Sequence, residues 1–366
     1  MKEKIEILKN LYTDYDACAS KFWLKYCEDT TGWIERKKAW TWFYYIDSKW
    51  NKVDDKKILK YIEDIVIPPK WENTLISPDA KNHMLAVGFD DKQRKQYIYN
   101  EDWTHARNLI NSYKMILFWN ILWPIRKQVK EDISEKKGSY KHVIATLILT
   151  LDETVIRVWN THYYEENDTV GLTTLHNEHL SFKKDGTIAQ LDFTWKSAKD
   201  HCVKIKKKKI VSALKYLKQN NAECLFVYKE DSKECILSSD DVNKYLHNYG
   251  SDLISAKDFR TWHATRIVFK ELIHETQKKD FKKLSDTKRN KILLECFDLA
   301  AEKLWNTRTV VRSSYVHWDM ADTFREKKFL DFFEKISSTR KKKNLSKTES
   351  QLLAFLEFLF EENFAI

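Results

Sequence analysis

The chain has only 6 glycines and 4 prolines in 366 residues, beside 14 tryptophans. Glycine ordinarily makes up ~7% of a globular chain. It is the residue that enters φ > 0 without steric cost, so tight turns and helix ends draw on it. A chain this poor in glycine must close its turns with residues that resist the geometry, or be built from long helices with few tight turns. The tryptophans therefore need placing as much as the glycines do.

The remaining bulk properties set wide bounds. Charged residues are 32% and the hydrophobic set 43%, which excludes intrinsic disorder. The length allows two domains with separate cores. The formal charge of +10 favours a polyanionic partner without naming one. The N-terminus, Met1-Lys2-Glu3-Lys4, has no apolar h-region, so no secretory signal is expected. The longest apolar stretch, Met115 to Ile125, holds Asn120 and Pro124 and is too short to span a bilayer. The cysteines Cys18, Cys27, Cys202, Cys224, Cys235 and Cys296 form no C-x-x-C pair and have no His at zinc spacing. Free thiols in a cytoplasmic protein are expected, with neither metal nor cofactor.

Periodicity changes near Trp103. Residues 1–102 read as a β-rich domain after a short helix, and 103–366 as a mainly helical one. Phe43 to Ile46 runs into the turn Asp47-Ser48-Lys49-Trp50-Asn51-Lys52. Apolar residues at 58, 59, 62 and 65 predict a short helix, stopped by Ile67-Pro68-Pro69. Leu85 to Phe89 and Gln96 to Tyr99 flank a turn and predict a hairpin. Ala106 to Val129 and Lys141 to Val158 predict long helices. A small antiparallel sheet is predicted from Leu180 to Phe182, Ile188 to Phe193 and His201 to Ile205. Helices resume with one face at Ile210 to Leu217, another at Leu293 to Leu304, and a last from Thr348 to Phe360. The fold class is α+β. Lys204 to Lys209 and Arg340 to Lys343 are basic runs, which by themselves suit a solvated face.

No glycine-rich phosphate loop, H-E-x-x-H or G-x-S-x-G occurs, against nucleotide hydrolysis, zinc proteolysis and the usual serine hydrolases. A spaced set of basic and hydroxyl residues does occur. Arg157 closes Thr154-Val155-Ile156-Arg157, at the end of a predicted helix. Lys196 follows Leu191-Asp192-Phe193-Thr194-Trp195 in a strand–turn–strand. Lys257 and Arg260 share Lys257-Asp258-Phe259-Arg260-Thr261-Trp262. Asn306 and Tyr315 share the segment from Leu304 to His317. Taken singly, each has a structural explanation, such as a helix dipole for an arginine or a packing role for a tyrosine.

In this order the set resembles type IB DNA topoisomerases of the small bacterial and poxvirus-like kind. The resemblance runs from about Trp23 to about Asp322. Ile67-Pro68-Pro69-Lys70-Trp71 resembles the family's I-P-P-x-W. Arg94-Lys95-Gln96-Tyr97-Ile98-Tyr99 resembles its R-K-Q-Y-x-Y. Gly171-Leu172-Thr173-Thr174-Leu175, then His179, resembles its G-L-T-T-L-x-x-x-H. The resemblance implies a C-shaped clamp on double-stranded DNA and ATP-independent relaxation through a 3′-phosphotyrosyl intermediate. It implies Tyr315 as nucleophile and Arg157 and Arg260 as clamps on the non-bridging oxygens. Lys196 would be the general acid assisted by Lys257, and Asn306 a donor to the phosphate. Lys95, Gln96, Tyr97 and Tyr99 would contact DNA. A monomer is implied, without metal or membrane, nucleoid-associated if bacterial. These residue types suit the chemistry, because a phosphorane in flight needs planar cations around it and a proton for the leaving oxygen. A tyrosine recombinase shares the set but usually carries H-x-x-R where this chain has Lys257-x-x-Arg260. A catalytically impaired DNA-binding relative is the other alternative.

Lining up the motifs sorts the tryptophans. Trp71, Trp103 and Trp262 fall where the family has Trp. Trp23, Trp40, Trp42, Trp50, Trp159, Trp195 and Trp305 fall where the family has Gly; Trp33, Trp119, Trp123 and Trp318 belong to neither group. Drift does not place the largest side chain at turn glycines so consistently. We read the pattern as UGA codons, decoded as glycine under one code and as tryptophan under another. The expectation is Trp at tight turns, several with exposed rings.

Overall fold

The computed structural model describes residues 2–40, 42–159, 170–195, 199–219, 222–231, 233–250, 252–278, 280–326, 328–336, 340–341 and 345–364. The chain forms two compact units, Met1–Ser112 and Tyr113–Ile366. The α+β architecture expected from the sequence is present, β-rich first and helical after.

In the first unit, helices α1 (Lys2–Thr13) and α2 (Tyr15–Lys21) precede a five-stranded antiparallel sheet of order β2-β1-β3-β4-β5. Its strands are β1 (Ile34–Lys38), β2 (Phe43–Ile46), β3 (Glu72–Ile76), β4 (Met84–Phe89) and β5 (Lys95–Tyr99), with α3 (Lys56–Asp64) between β2 and β3. The predicted β4–β5 hairpin and the helix α3 are found; β1, β3 and the second of the two opening helices were not anticipated. Asp55 caps α3 by accepting from the N–H groups of Lys57 and Ile58. Ile62 then points at Ile34, Ile76 and Ala86 to make the core. Buried Arg36 fastens the loop between α3 and β3, donating to the carbonyls of Pro68 (3.0 Å) and Trp71 (2.9 Å) and stacking on Phe43 at 4.3 Å. This is how the Pro-Pro-Lys-Trp segment is held in shape.

The second unit is built on α4 (Glu101–Asp132), which begins in the first, and on α5 (Tyr140–Thr154). A three-stranded antiparallel sheet follows: β6 (Leu180–Phe182), β7 (Ala189–Trp195) and β8 (Lys199–Ile205), in order β6-β7-β8. Then come α6 (Lys208–Gln219), the hairpin β9 (Val227–Glu230) and β10 (Lys233–Ile236), α7 (Ser239–His247), α8 (Ala256–Thr276), α9 (Asp286–Leu304), α10 (Arg308–Ser314), α11 (Trp318–Arg325), α12 (Lys328–Ile336) and α13 (Lys347–Phe364). Buried Trp262, Phe118 and Phe259 lie at the centre, with Trp119 stacked on Trp262 at 5.6 Å.

One helix end differs from expectation. The periodicity carried α5 through Val158, but the helix stops at Thr154 and Arg157 lies beyond it. The cause is Val155, which takes φ 56° and ψ 23° and turns the chain away. A left-handed β-branched residue costs about 1–3 kcal/mol, so something must hold it there; that partner is described below.

The tryptophans divide as their sequence contexts suggest. Trp103 and Trp262 are buried, and Trp33 joins the core of the first unit. Trp40, Trp23, Trp50 and Trp42 are 97%, 86%, 77% and 57% exposed. Trp23 (φ 58°), Trp50 (φ 66°) and Trp305 (φ 51°) are left-handed. At the end of α2 the Leu24 N–H reaches the Ala19 carbonyl and the Trp23 N–H that of Ser20. After α9 the Asn306 N–H reaches Ala301 and the Trp305 N–H reaches Glu302. These are two Schellman ends, and Trp23 and Trp305 each stand at the left-handed position that glycine usually fills. Trp50 closes the turn after β2, its N–H on the Asp47 carbonyl at 3.0 Å.

Candidate active site

The geometry begins at α8. Ser255 and Asp258 form a capping box that fixes its first turn. Asp258 also pairs with Lys114 of α4 at 3.0 Å. One turn of helix places Lys257 and Arg260 on the same face. Lys257 is exposed and Arg260 fully buried. Arg260 donates to the Leu304 carbonyl (2.8 Å), at the end of α9, and to the carbonyl of Val155. The second bond secures the strained end of α5. Helix α9 ends at Trp305, so that Asn306 follows directly and its Oδ1 accepts from Arg157. The chain then re-enters helix at Thr307, whose side chain accepts from the Val310 N–H, and α10 runs to Ser314.

Tyr315 caps α10 and is buried. The Arg260 guanidinium lies 5.1 Å from its ring centre and the Lys257 ammonium 5.9 Å. Thr265 of α8 donates to its carbonyl at 3.1 Å. Burial pushes the phenol's pKa up, but the charges and hydrogen bonds of Arg260 and then Arg157 outweigh it, and the net shift is down from 10. Arg260 is itself pushed down to about 10, first by burial. The site therefore favours a phenolate more than water does, while its arginine stays cationic at neutral pH. Arg260 Nε and Asn306 Nδ2 are buried without a partner among the described residues. Both are donors facing a site rich in positive charge, the arrangement an oxyanion can satisfy.

Of the residues singled out in the sequence, the structure brings Arg157, Lys257, Arg260, Asn306 and Tyr315 together. Lys196 lies outside the described residues. The described residues on either side, Trp195 and Lys199, are a register pair of β7 and β8. The Gly171 to Leu175 segment backs the site: the Leu172 N–H donates to the Arg157 carbonyl at 2.7 Å. Trp159 crowds it, since a Cβ on Gly171 would stand 2.0 Å from the Trp159 ring. In the first unit, Lys95, Tyr97 and Tyr99 share one exposed face of the edge strand β5, with the two tyrosine rings stacked at 5.8 Å. Gln96 faces the other way and donates to Asp90 at 2.9 Å.

His317, two residues after Tyr315, was not singled out by sequence. It caps α11, its Nδ1 accepting from the Asp319 N–H at 3.3 Å, and stacks edge-on with Tyr113 at 4.8 Å. It is fully buried, and burial pushes its pKa down from 6.5 to about 3. The folded form resists a proton that the unfolded chain accepts below about pH 6.5. Its contribution to stability is thus present above that pH and lost as pH falls. Acidification from pH 6.5 to 5 should lower the unfolding free energy by about 1.5 kcal/mol through this residue. Urea melts of the parent and His317→Phe at both pH values check this; equal slopes against pH would contradict it.

Comparison with known proteins follows the same division. The model of the eukaryotic DNA topoisomerase I catalytic core matches residues 111–344. The model of the bacterial DNA topoisomerase IB N-terminal domain matches residues 42–90. DNA topoisomerase 1B of Acanthamoeba polyphaga mimivirus is 28% identical over 280 residues, spanning 75% of this chain and 81% of its own. DNA topoisomerase 1B of Vaccinia virus (strain Copenhagen) is 24% identical over 281 residues, 76% of this chain and 83% of its own.

Proposed function

The chain belongs to the type IB DNA topoisomerases, and from that premise we propose that Tyr315 is the nucleophile of this enzyme's strand cleavage. The observation that carries the assignment is the buried phenol between Arg260 and Arg157, held below its ordinary pKa. The substrate is duplex DNA. Tyr315 Oη attacks a backbone phosphorus, the bond from phosphorus to the 5′ oxygen breaks, and a 3′-phosphotyrosyl ester remains. Lys196 gives the leaving 5′ oxygen its proton, with Lys257 assisting. The reverse attack by the 5′-OH reseals the strand and releases the phenol. The ester conserves the bond, so no ATP is consumed.

Arg157, Arg260 and Asn306 aim hydrogen-bond donors at the negative oxygens of the five-coordinate phosphorus. On binding, the phosphate takes the donors that Arg260 Nε and Asn306 Nδ2 leave without partners among the described residues. Planar guanidinium suits the non-bridging oxygens in a way that an ammonium does not. Lys95, Tyr97 and Tyr99 hold the backbone of the duplex from the exposed face of β5. Gln96 reaches base edges only by leaving Asp90. The enzyme acts as a monomer in the cytoplasm within this proposal; no helix among the described residues is long and apolar enough to cross a membrane.

Supercoiled plasmid should relax in chelator without ATP, in a population of intermediate topoisomers. An absence of relaxation, together with strand exchange between two defined sites, would make the chain a recombinase instead.

A further inference from the structure

A buried polar network beside the site has no part in the chemistry above. Arg126 of α4 grips Asp152 of α5 with two bonds, Nε to Oδ2 at 2.8 Å and Nη2 to Oδ1 at 3.1 Å. His263 of α8 meets the same Oδ1 through Nε2 at 2.8 Å. Its Nδ1 faces Arg266 Nη2 at 3.1 Å. A guanidinium can only donate, so Nδ1 accepts and Nε2 carries the hydrogen that Asp152 receives. Arg126 also donates to Glu349 at 3.1 Å, in the first turn of α13, and Glu349 in turn accepts from Ser346.

The placement within the chain gives the network its meaning. Asp152 lies in the last turn of α5, just before left-handed Val155 and then Arg157. His263 lies one turn beyond Arg260 on α8. The Asp152–His263 bond and the bond from Arg260 to the Val155 carbonyl thus join the same two elements twice. We propose that the Asp152–His263 pair is a positioning device that sets the end of α5 against α8, and so sets Arg157 and Arg260 relative to each other. This rests on the active-site reading above.

A purely stabilising role explains less. Arg126 already pairs with both carboxylates, Asp152 and Glu349, so neither needs a charged histidine. A buried ionic network is also a weak source of stability compared with apolar packing of the same volume. What His263 adds is one directed bond across two helices. Errors of about 1 Å in the placing of reacting groups can cost ~10²-fold in rate.

The test is a series at position 263 in the full chain. His263→Gln can reach Asp152 with an amide N–H, His263→Asn is too short, and His263→Leu fills the space without a donor. The readouts are the single-turnover rate of covalent adduct formation at saturating enzyme, the DNA dissociation constant and the melting temperature. The Asn and Leu variants should form adduct ~10²-fold more slowly, with DNA affinity unchanged and with Gln restoring most of the rate. Adduct formation at the parent rate in Asn and Leu would overturn the proposal. So would losses in all variants that follow melting temperature, without rescue by Gln. Arg260→Ala in the same assay separates the two readings. If it cleaves normally, the active-site assignment fails; if it is slow while the 263 series is normal, positioning alone fails.

Discussion

Tyr315→Phe is expected to form no covalent DNA adduct and to lose relaxation by at least ~10⁴-fold, while binding duplex DNA as the parent does. The substitution removes one oxygen and keeps the ring on which Arg260 and Lys257 pack. The ring remains buried, so folding should change little. Freed of the phenol, Arg260 and Arg157 lose a hydrogen-bonding partner but remain available to phosphate. Binding and chemistry should therefore separate cleanly. Adduct formation by this variant, read on a denaturing gel, would remove Tyr315 from its role.

Restoring glycine at Trp159, Trp195 and Trp305 should raise relaxation by ~10²-fold or more. The first and last adjoin the arginine–asparagine pair directly. Trp305 sits left-handed before Asn306, its ring 5.4 Å from His201 and 6.5 Å from Phe193 of the β7–β8 sheet. A glycine there keeps the Schellman end of α9 and relieves the contacts with Phe193 and His201. Trp159 presses on Gly171, behind Arg157. Glycine at Trp23, Trp50 and Trp305 should add roughly 1 kcal/mol of stability each, by removing the left-handed penalty of a side chain. Trp23 and Trp50 are mostly exposed, so little packing is lost in exchange. The coding sequence provides an independent check: UGA is expected at these codons, and UGG at 159, 195 and 305 would contradict the reading. Variants less stable than the parent would contradict it as well.

The sequence revealed the long elements and the order of the reacting residues, for physical reasons that also mark its limits. Helix α4 shows itself through sustained apolar periodicity, and the β6–β7 turn through Asp185-Gly186, where Gly186 takes φ 65°. Strand β1 (Ile-Glu-Arg-Lys-Lys) was hidden because its charged residues mask alternation; Arg36 faces inward and spends its guanidinium on loop carbonyls. The end of α5 was hidden because nothing in Thr154-Val155-Ile156 breaks a helix. The stop is tertiary, made where Arg260 takes the Val155 carbonyl from 105 residues away. Asp152 and His263 are likewise 111 residues apart. Each reads alone as an ordinary helical residue, and only packing joins them. Of the tryptophans at family glycine positions, Trp23, Trp50 and Trp305 are left-handed as the shortage of glycine and their motif contexts lead one to expect, whereas Trp40, Trp42 and Trp159 are not.

The most direct measurement is to trap the covalent complex on a nicked duplex, digest it, and identify the modified peptide and DNA end by mass spectrometry. The account predicts a single adduct on Tyr315 joined to a 3′-phosphate, with a free 5′-OH on the released strand. An adduct on another residue, or a 5′-phosphate link to Tyr315, would contradict it.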